Sequence, residues 1–124
     1  MTEPHSLTCH CGAVELRVQL SDGLNTMRRC DCTFCRRRGA IAASAPLDGI
    51  EIVNGADKLT LYQWGTKTAK HYFCSVCGIY THHRRRSNPN EFGVNVGALI
   101  GINPKDLGEI QWVDGVNNPA DAKT

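Results

Sequence analysis

Seven cysteines in three close clusters carry the clearest chemistry of this 124-residue chain. Thiolates this close in sequence are typical ligands of a soft metal ion, and a tetrahedral zinc site places its sulfur atoms roughly 3.8 Å apart. Two cysteines separated by two residues reach that distance around a tight turn. Two separated by one residue reach it from an extended segment, where alternate side chains share a face. The clusters are Cys9 and Cys11, then Cys30, Cys32 and Cys35, then Cys74 and Cys77.

The number of thiols divides these clusters into two predicted sites. The first and last clusters together offer four thiolates, enough for a closed structural site that fastens the N-terminal segment to the middle of the chain. Gly12 and Gly78 directly follow ligands, where glycine permits a positive φ or a close approach of backbone amides to sulfur. The middle cluster offers three thiolates, which suits a catalytic site with an open fourth position. The alternative is that the protein closes this site with Asp31, His71, His82 or His83.

Disulfides are the competing interpretation of the cysteines. Seven is an odd number, so one thiol would remain unpaired. The first ten residues, MTEPHSLTCH, have no basic and no long apolar region, which predicts a chain that is not exported. A cytoplasmic protein meets a reducing environment that keeps thiols free. We therefore expect two zinc ions per chain, with iron as the competing metal.

Length and charge limit the other functions. The chain is short enough to form a single domain, 1–124, with a small core that metal binding would also stabilise. Its apolar runs are too short to span a membrane. A net charge of +2 argues only weakly for nucleic acid as a partner. Eight of the nine arginines lie within residues 28–38 and 84–86. They are either solvated surface charge or groups that offset thiolates and bind carboxylates of a ligand.

Short alternating segments punctuated by glycine, asparagine and proline predict an all-β fold. One helical turn is predicted at 33–38, ended by Gly39. Adjacent His82 and His83 would point to opposite faces of a strand, so at most one faces the site. Trp64, Trp112 and Phe92 are interpreted as core or interface residues. The predicted strands are 14–20, 40–45, 50–53, 59–64, 69–73, 79–83, 92–96 and 110–113.

Taken together, residues 5–115 resemble the glutathione-dependent formaldehyde-activating enzyme family, which includes relatives of centromere protein V. The matching segments are CHCG at 9–12, CDCTFCR at 30–36, YFCSVCG at 72–78, GIYTHH at 78–83 and GVNVG at 93–97. The combined order and spacing of the three cysteine clusters is specific, whereas any one cluster alone is weak. Asp31 departs from the pattern, which more often has His or Asn there.

This resemblance implies a β-tent of packed antiparallel sheets with zinc knuckles. It assigns the structural zinc to Cys9, Cys11, Cys74 and Cys77, and the catalytic zinc to Cys30, Cys32 and Cys35. It also implies the condensation of formaldehyde with glutathione to S-hydroxymethylglutathione, a carbon–sulfur lyase reaction. Kinship of fold does not fix the substrate.

Three functions fit these residues. The first is a zinc-dependent carbon–sulfur lyase-type enzyme acting on an adduct of glutathione, or another thiol, with a small aldehyde such as formaldehyde. The second is a zinc-stabilised module whose arginines bind nucleic acid or an acidic protein. The third is a metal-handling protein without turnover.

Overall fold

The computed structural model describes residues 4–65, 67–86 and 88–116, so the ends of the predicted 1–124 domain lie outside the described part. Its secondary structure is mostly β, with one short α-helix and four single-turn 3₁₀ helices. The 3₁₀ helices are Leu47–Gly49, Ala56–Lys58, Val96–Ala98 and Pro104–Asp106. The strands and helix are β1 (His5–Thr8), β2 (Glu15–Val18), β3 (Arg29–Cys30), α1 (Thr33–Arg38), β4 (Ala42–Pro46), β5 (Ile50–Asn54), β6 (Leu59–Tyr62), β7 (Lys70–Cys74), β8 (Tyr80–Arg84), β9 (Glu91–Asn95) and β10 (Trp112–Val113).

The strands form two antiparallel sheets and one small parallel pair. Five strands make the larger sheet, in the order β4-β9-β8-β7-β6, and three make the smaller one, in the order β1-β2-β5. β3 and β10 pair in parallel over two residues each, which brings the C-terminal segment beside the middle cysteine cluster.

The core lies between the two antiparallel sheets. Leu16 and Val18 alternate inward along β2, as the period of two predicts, and they meet Ala43 of β4 and Val94 of β9 in one buried cluster. Cys9 and Cys74 belong to the same cluster. The first and last cysteine clusters are therefore attached to the hydrophobic core itself.

The structure confirms the predicted fold class of antiparallel sheets with cysteine clusters suited to zinc. It also confirms the helical turn at Thr33–Arg38, which ends where Gly39 takes a left-handed conformation with φ of 65°. β1 and β3 were not predicted, because each is short and lies against a cysteine cluster that hides its alternation. Among the described residues, no helix has the length and apolar composition needed to cross a bilayer.

Candidate functional site

The first and last cysteine clusters meet as predicted. The four ligand sulfurs lie within 4.8 Å of one another, and Cys11 Sγ is 3.6 Å from Cys9 Sγ and 3.7 Å from Cys74 Sγ. These two separations are close to the roughly 3.8 Å expected between thiolates on one tetrahedral zinc ion. The cluster consists of Cys9, Cys11, Cys74 and Cys77.

Tight turns position these four thiols. The turn after β7 is closed by the Gly78 N–H, which donates to the Cys74 carbonyl at 2.8 Å, and Gly78 adopts a positive φ of 80°. Gly12 has a φ of 83°, so both glycines serve the left-handed turns that the sequence suggested. The backbone N–H of Val14 donates to Cys9 Sγ at 3.3 Å, an arrangement that favours the thiolate.

Two thiols of the four-thiol cluster have pKa values that are shifted in opposite directions. The backbone N–H of Cys11, followed by that of Ile79, lowers the pKa of Cys77 to about 6. The N–H of Ala13 lowers the pKa of Cys11, but desolvation by the surrounding atoms and the neighbouring thiols outweigh it and raise that pKa to about 11. A divalent cation would allow all four thiols to ionise together, so this donor set fits a metal ion.

The middle cysteine cluster forms a second site where β3 meets α1. Cys30 ends β3, Cys32 caps the N-terminus of α1, and Cys35 lies within that helix. The cap is made by sulfur: Cys32 Sγ accepts from the backbone N–H of Cys35 at 3.3 Å. The three sulfurs lie within 4.8 Å of one another, and no fourth Cys, His, Asp or Glu of the described chain joins them. Asp31, His71, His82 and His83 therefore do not complete this ligand set.

Among these three thiols, Cys32 is the one that is stabilised as a thiolate, and Cys30 and Cys35 are stabilised in their protonated form. Hydrogen bonds from Cys30 and then Cys35 lower the pKa of Cys32 well below its ordinary value. The bond to Cys32 is the main cause that raises the pKa of Cys30, and the bond to Cys30 is the main cause that raises that of Cys35. Three soft donors that cannot ionise together without a counter-charge also fit a metal ion.

A cavity of about 100 Å³ opens beside the middle cluster. Its wall includes the three thiols together with four arginines, two histidines and Trp64. The arginines and histidines are Arg28, Arg38, Arg85, Arg86, His71 and His83. Both arginine stretches thus contribute to the site, as one of the two sequence interpretations expected, while Arg36 and Arg37 are exposed.

Arg38 is the central cation of this wall. Its guanidinium lies between two rings, 3.6 Å from the Tyr80 centroid and 4.5 Å from the Phe34 centroid. Its Nη2 donates to Cys35 Sγ at 3.7 Å. Its Nε is buried and has no hydrogen-bond partner in the described part of the chain. An N–H donor of a charged group is thus left unsatisfied beside the three thiols.

Burial and the same arginine keep His71 neutral. Arginine can only donate, so the Nη1 of Arg38 must donate to His71 Nδ1 across 3.1 Å, which leaves the ring proton on Nε2. Burial first, and then the charge of Arg38, lowers the pKa of His71 to about 3. His71 is therefore an uncharged imidazole at neutral pH.

The histidine pair divides between the two faces of β8, as predicted. His83 lines the cavity and stacks on His71, with ring centroids 4.9 Å apart. His82 stacks on Tyr72 on the other face, with centroids 4.7 Å apart, and its Nδ1 lies 2.8 Å from the Thr81 hydroxyl. Only His83 faces the site.

Of the two alternatives predicted for the tryptophans, core or interface, the structure excludes the core. Trp64 is 38% exposed and Trp112 is 58% exposed. Trp64 instead forms an aromatic wall of the cavity and stacks on His71 at 5.0 Å, because it follows the edge strand β6 rather than a central strand. Phe92 does pack against the core.

Arg28 and Gly115 also contribute to the site, and of these two the sequence analysis missed only Gly115. Arg28 donates to Ser44 Oγ at 2.9 Å and reaches the cavity from outside the cysteine motif. Gly115 packs so closely on the cluster that a Cβ there would collide with Cys30 Sγ. The spacing of Cys35 and Arg38 along one helical face could have indicated the contact of Arg38, but no sequence signal marks Gly115.

Comparisons with known proteins agree with this arrangement. The family model described as "Glutathione-dependent formaldehyde-activating enzyme" matches residues 4–110. A Halomonas elongata protein, named only provisionally as such an enzyme, is 35% identical over 79 residues, which are 56% of this chain and 49% of that protein. The chain thus spans about half the length of this curated relative.

A solved structure is similar over most of the chain. The crystal structure of a Rhodobacter sphaeroides protein matches with a TM-score of 0.86 and 65% sequence identity, and the match covers 87% of this chain and 99% of that one. The family resemblance seen in the sequence is confirmed: this chain belongs to the glutathione-dependent formaldehyde-activating enzyme family.

Proposed function

We propose that this protein is a zinc-dependent carbon–sulfur lyase-type enzyme that forms or cleaves the adduct of glutathione, or a similar thiol, with a small aldehyde such as formaldehyde. The observation that carries the proposal is the three-thiol cluster with no fourth described ligand, facing a cavity lined by arginine and histidine. Membership of the family supports the same substrates.

Two zinc sites with different roles are part of the proposal. Cys9, Cys11, Cys74 and Cys77 would hold the structural ion, because this cluster is complete and joined to the core. Cys30, Cys32 and Cys35 would hold the catalytic ion. When bound there, zinc would keep a substrate thiol ionised at neutral pH, and thiolate is the nucleophilic form of sulfur.

The cavity walls favour an anionic thiol and a small second substrate. Arg38 offers a buried Nε–H without a partner in the described chain, and Arg28 is a second, half-buried cation. A carboxylate of glutathione would satisfy such donors. A cavity of about 100 Å³ accommodates a small aldehyde, so most of the tripeptide would lie along the rim.

Neutral histidines can stabilise the negative charge that develops on the aldehyde oxygen in this reaction. The carbonyl oxygen gains negative charge as sulfur attacks carbon, and an imidazole N–H can donate to it. His71 keeps its proton on Nε2 because Nδ1 accepts from Arg38. Trp64 lines this side of the cavity and contacts Phe34, with ring centroids 4.8 Å apart.

Exchange spectroscopy tests the proposal directly. Formaldehyde and glutathione combine spontaneously, so the measured quantity is the rate at which ¹³C-formaldehyde hydrate and the hydroxymethyl adduct interconvert at equilibrium. We expect the metal-loaded protein to accelerate this exchange and the Cys32→Ser variant to lose the acceleration. An unchanged exchange rate with fully loaded wild-type protein would overturn the proposed reaction.

The arrangement of the arginines favours the enzyme over the nucleic-acid or acidic-protein module. Arg38, Arg85 and Arg86 line the cavity, and Arg85 also pairs with Glu91. Binding to DNA or RNA that weakens steeply with salt would support the module instead. A cytoplasmic location, where thiols remain reduced, is part of our proposal.

A further inference from the structure

A bulge in β8 turns Tyr80 toward His83, a residue of the cavity wall. Tyr72 pairs with His82, but the next residue, Phe73, pairs with Tyr80, so Thr81 is an extra residue in β8. Without the bulge Tyr80 would share a face with His82. With it, Tyr80 shares a face with His83, and a bulge is a common device for redirecting a side chain.

The redirected phenol forms a short hydrogen bond to His83. Tyr80 Oη lies 2.5 Å from His83 Nδ1 and 3.4 Å from the carbonyl oxygen of Gly93. The longer separation exceeds the usual range for O–H···O bonds, so the hydroxyl donates to Nδ1. Because a neutral imidazole has one N–H, its proton then lies on Nε2.

Burial keeps both partners uncharged before substrate binds. Tyr80 is 8% exposed, and burial raises its pKa to about 12. Burial also lowers the pKa of His83 well below its ordinary value, assisted by Arg38. The pair therefore consists of a phenol and a neutral imidazole.

Neighbouring residues fix the ring of His83 in one place. It stacks on His71 on one side, and a Cβ at Gly93 would collide with its Cε1. The Arg38 guanidinium lies 3.6 Å from the Tyr80 ring centroid, where it can offset negative charge that develops on the phenol. These contacts hold His83, a proton donor, in the same cavity wall as the three thiols, and they keep the Tyr80 hydroxyl in place to return a proton to it.

We propose that His83 is the acid–base residue at the aldehyde oxygen, with Tyr80 as the residue that fixes its tautomer and replaces its proton. This assignment rests on the proposed function. As the carbon–sulfur bond forms, the carbonyl π bond breaks, and the oxygen takes the Nε2 proton of His83. His83 Nδ1 then takes the proton of Tyr80, which leaves a phenolate beside Arg38.

The thiol of the next substrate restores the pair. Its S–H proton passes to Nε2 of His83, and the proton on Nδ1 returns to the phenolate oxygen. The net change is one thiol and one aldehyde to one hydroxymethyl thioether, with no redox step. The reverse sequence releases the aldehyde.

The tautomer can be measured independently of turnover. Long-range ¹H–¹⁵N correlation spectra of zinc-loaded protein should show His83 protonated on Nε2, and Tyr80→Phe should convert it to a mixture of tautomers. A wild-type ring protonated on Nδ1 would overturn the assignment.

The exchange rate of ¹³C-formaldehyde tests the catalytic role. His83→Gln should slow the protein-dependent exchange by about 100-fold or more, the usual share of a general acid–base group, and Tyr80→Phe by a smaller factor. His82→Gln, on the opposite face, is the matched control and should exchange like wild type. Zinc content and melting temperature establish that each variant is loaded and folded.

The outcomes separate the two proposals. Wild-type protein that fails to accelerate exchange would overturn the proposed function and this role with it. Wild-type acceleration that survives in His83→Gln would overturn the role of His83 alone and leave the proposed function standing.

Discussion

The backbone N–H of Gly115 donates to Oδ1 of Asp31 across 2.7 Å. Asp31 lies between two of the three middle cysteines, so this bond ties the segment around Gly115 to the middle cysteine cluster. The parallel pairing of β3 with β10 reinforces the connection, and Gly115 packs against Cys30 Sγ. The residue that departs from the family pattern thus supports the site rather than completing its ligand set.

Replacement of Asp31 should therefore weaken metal binding at the middle site. Asp31→Ala leaves the Gly115 N–H without its acceptor, and loss of such a supporting hydrogen bond typically lowers metal affinity by about 10- to 100-fold. Asp31→Asn keeps an acceptor oxygen and should retain most of the affinity. Competition with a fluorescent chelator measures the weaker zinc site, and equal affinity in Asp31→Ala and wild type would contradict this role.

The division of the cysteines was predictable because ligand geometry is local. A pair separated by one or two residues can converge on one metal ion in few backbone conformations, so spacing alone grouped Cys30, Cys32 and Cys35. The helical turn at Thr33–Arg38 was predictable for the same reason, since Gly39 supplies the left-handed residue that ends it.

The environment of the thiols was not predictable, because it depends on register and on distant contacts. The relation between Tyr80 and His83 arises from a bulge, and strict alternation would have separated them onto opposite faces. Gly115 reaches Cys30 through a pairing of residues more than 80 positions apart. The residue type of Trp64 predicted a core or interface position, but its place beyond an edge strand makes it part of the cavity wall.

The two cysteine sites should differ in what they contribute to stability. Cys77→Ser opens the site that joins the N-terminal segment to the core, and we expect a loss of about 3 kcal/mol or more in the free energy of unfolding, or roughly 10 °C in Tm. Cys32→Ser acts within one local segment and should leave the domain folded but inactive. Thermal melts compare the two, and equally severe losses would indicate that both sites are structural.

Metal removal should occur in two steps. Fully loaded protein is expected to contain two zinc ions, of which the ion on three thiolates is the more weakly held. A mild chelator should release about half of the zinc while the circular dichroism spectrum remains unchanged. Simultaneous loss of all zinc and of the folded signal would contradict the division into two sites.

The buried histidine on the far face of β8 should make stability depend on pH. Burial lowers the pKa of His82 to about 4, from an ordinary value of 6.5. Between those values the unfolded chain binds a proton that the folded chain does not, so the free energy of unfolding falls as pH falls from 6.5 to 4. The contribution of one such group is about 1.4 kcal/mol per pH unit.

His82→Gln isolates this contribution, because glutamine can hydrogen-bond but does not titrate in this range. Denaturant melts of both proteins with excess zinc at pH 7.5, 6.5 and 5.5 give the comparison. Acid also protonates the thiols, but that effect is common to both proteins. Equal pH dependence of wild type and His82→Gln would contradict a buried neutral His82.

Cobalt substitution should reveal a thiol as the fourth ligand of the middle site. A cobalt–thiolate charge-transfer band reports each sulfur ligand, and the three described thiols leave one tetrahedral position for an added one. We expect the band to grow as glutathione is added and to stay constant with S-methylglutathione, whose sulfur cannot ionise.

Arg38→Met should require more glutathione for the same growth of this cobalt–thiolate band, because it removes the buried N–H donor beside the cavity. A simple thiol without carboxylates should bind wild type and Arg38→Met alike, which distinguishes lost carboxylate binding from a damaged metal site. A cobalt spectrum that does not change with any free thiol would mean that the protein itself supplies the fourth ligand. That result would favour the binding-module function over the enzymatic one.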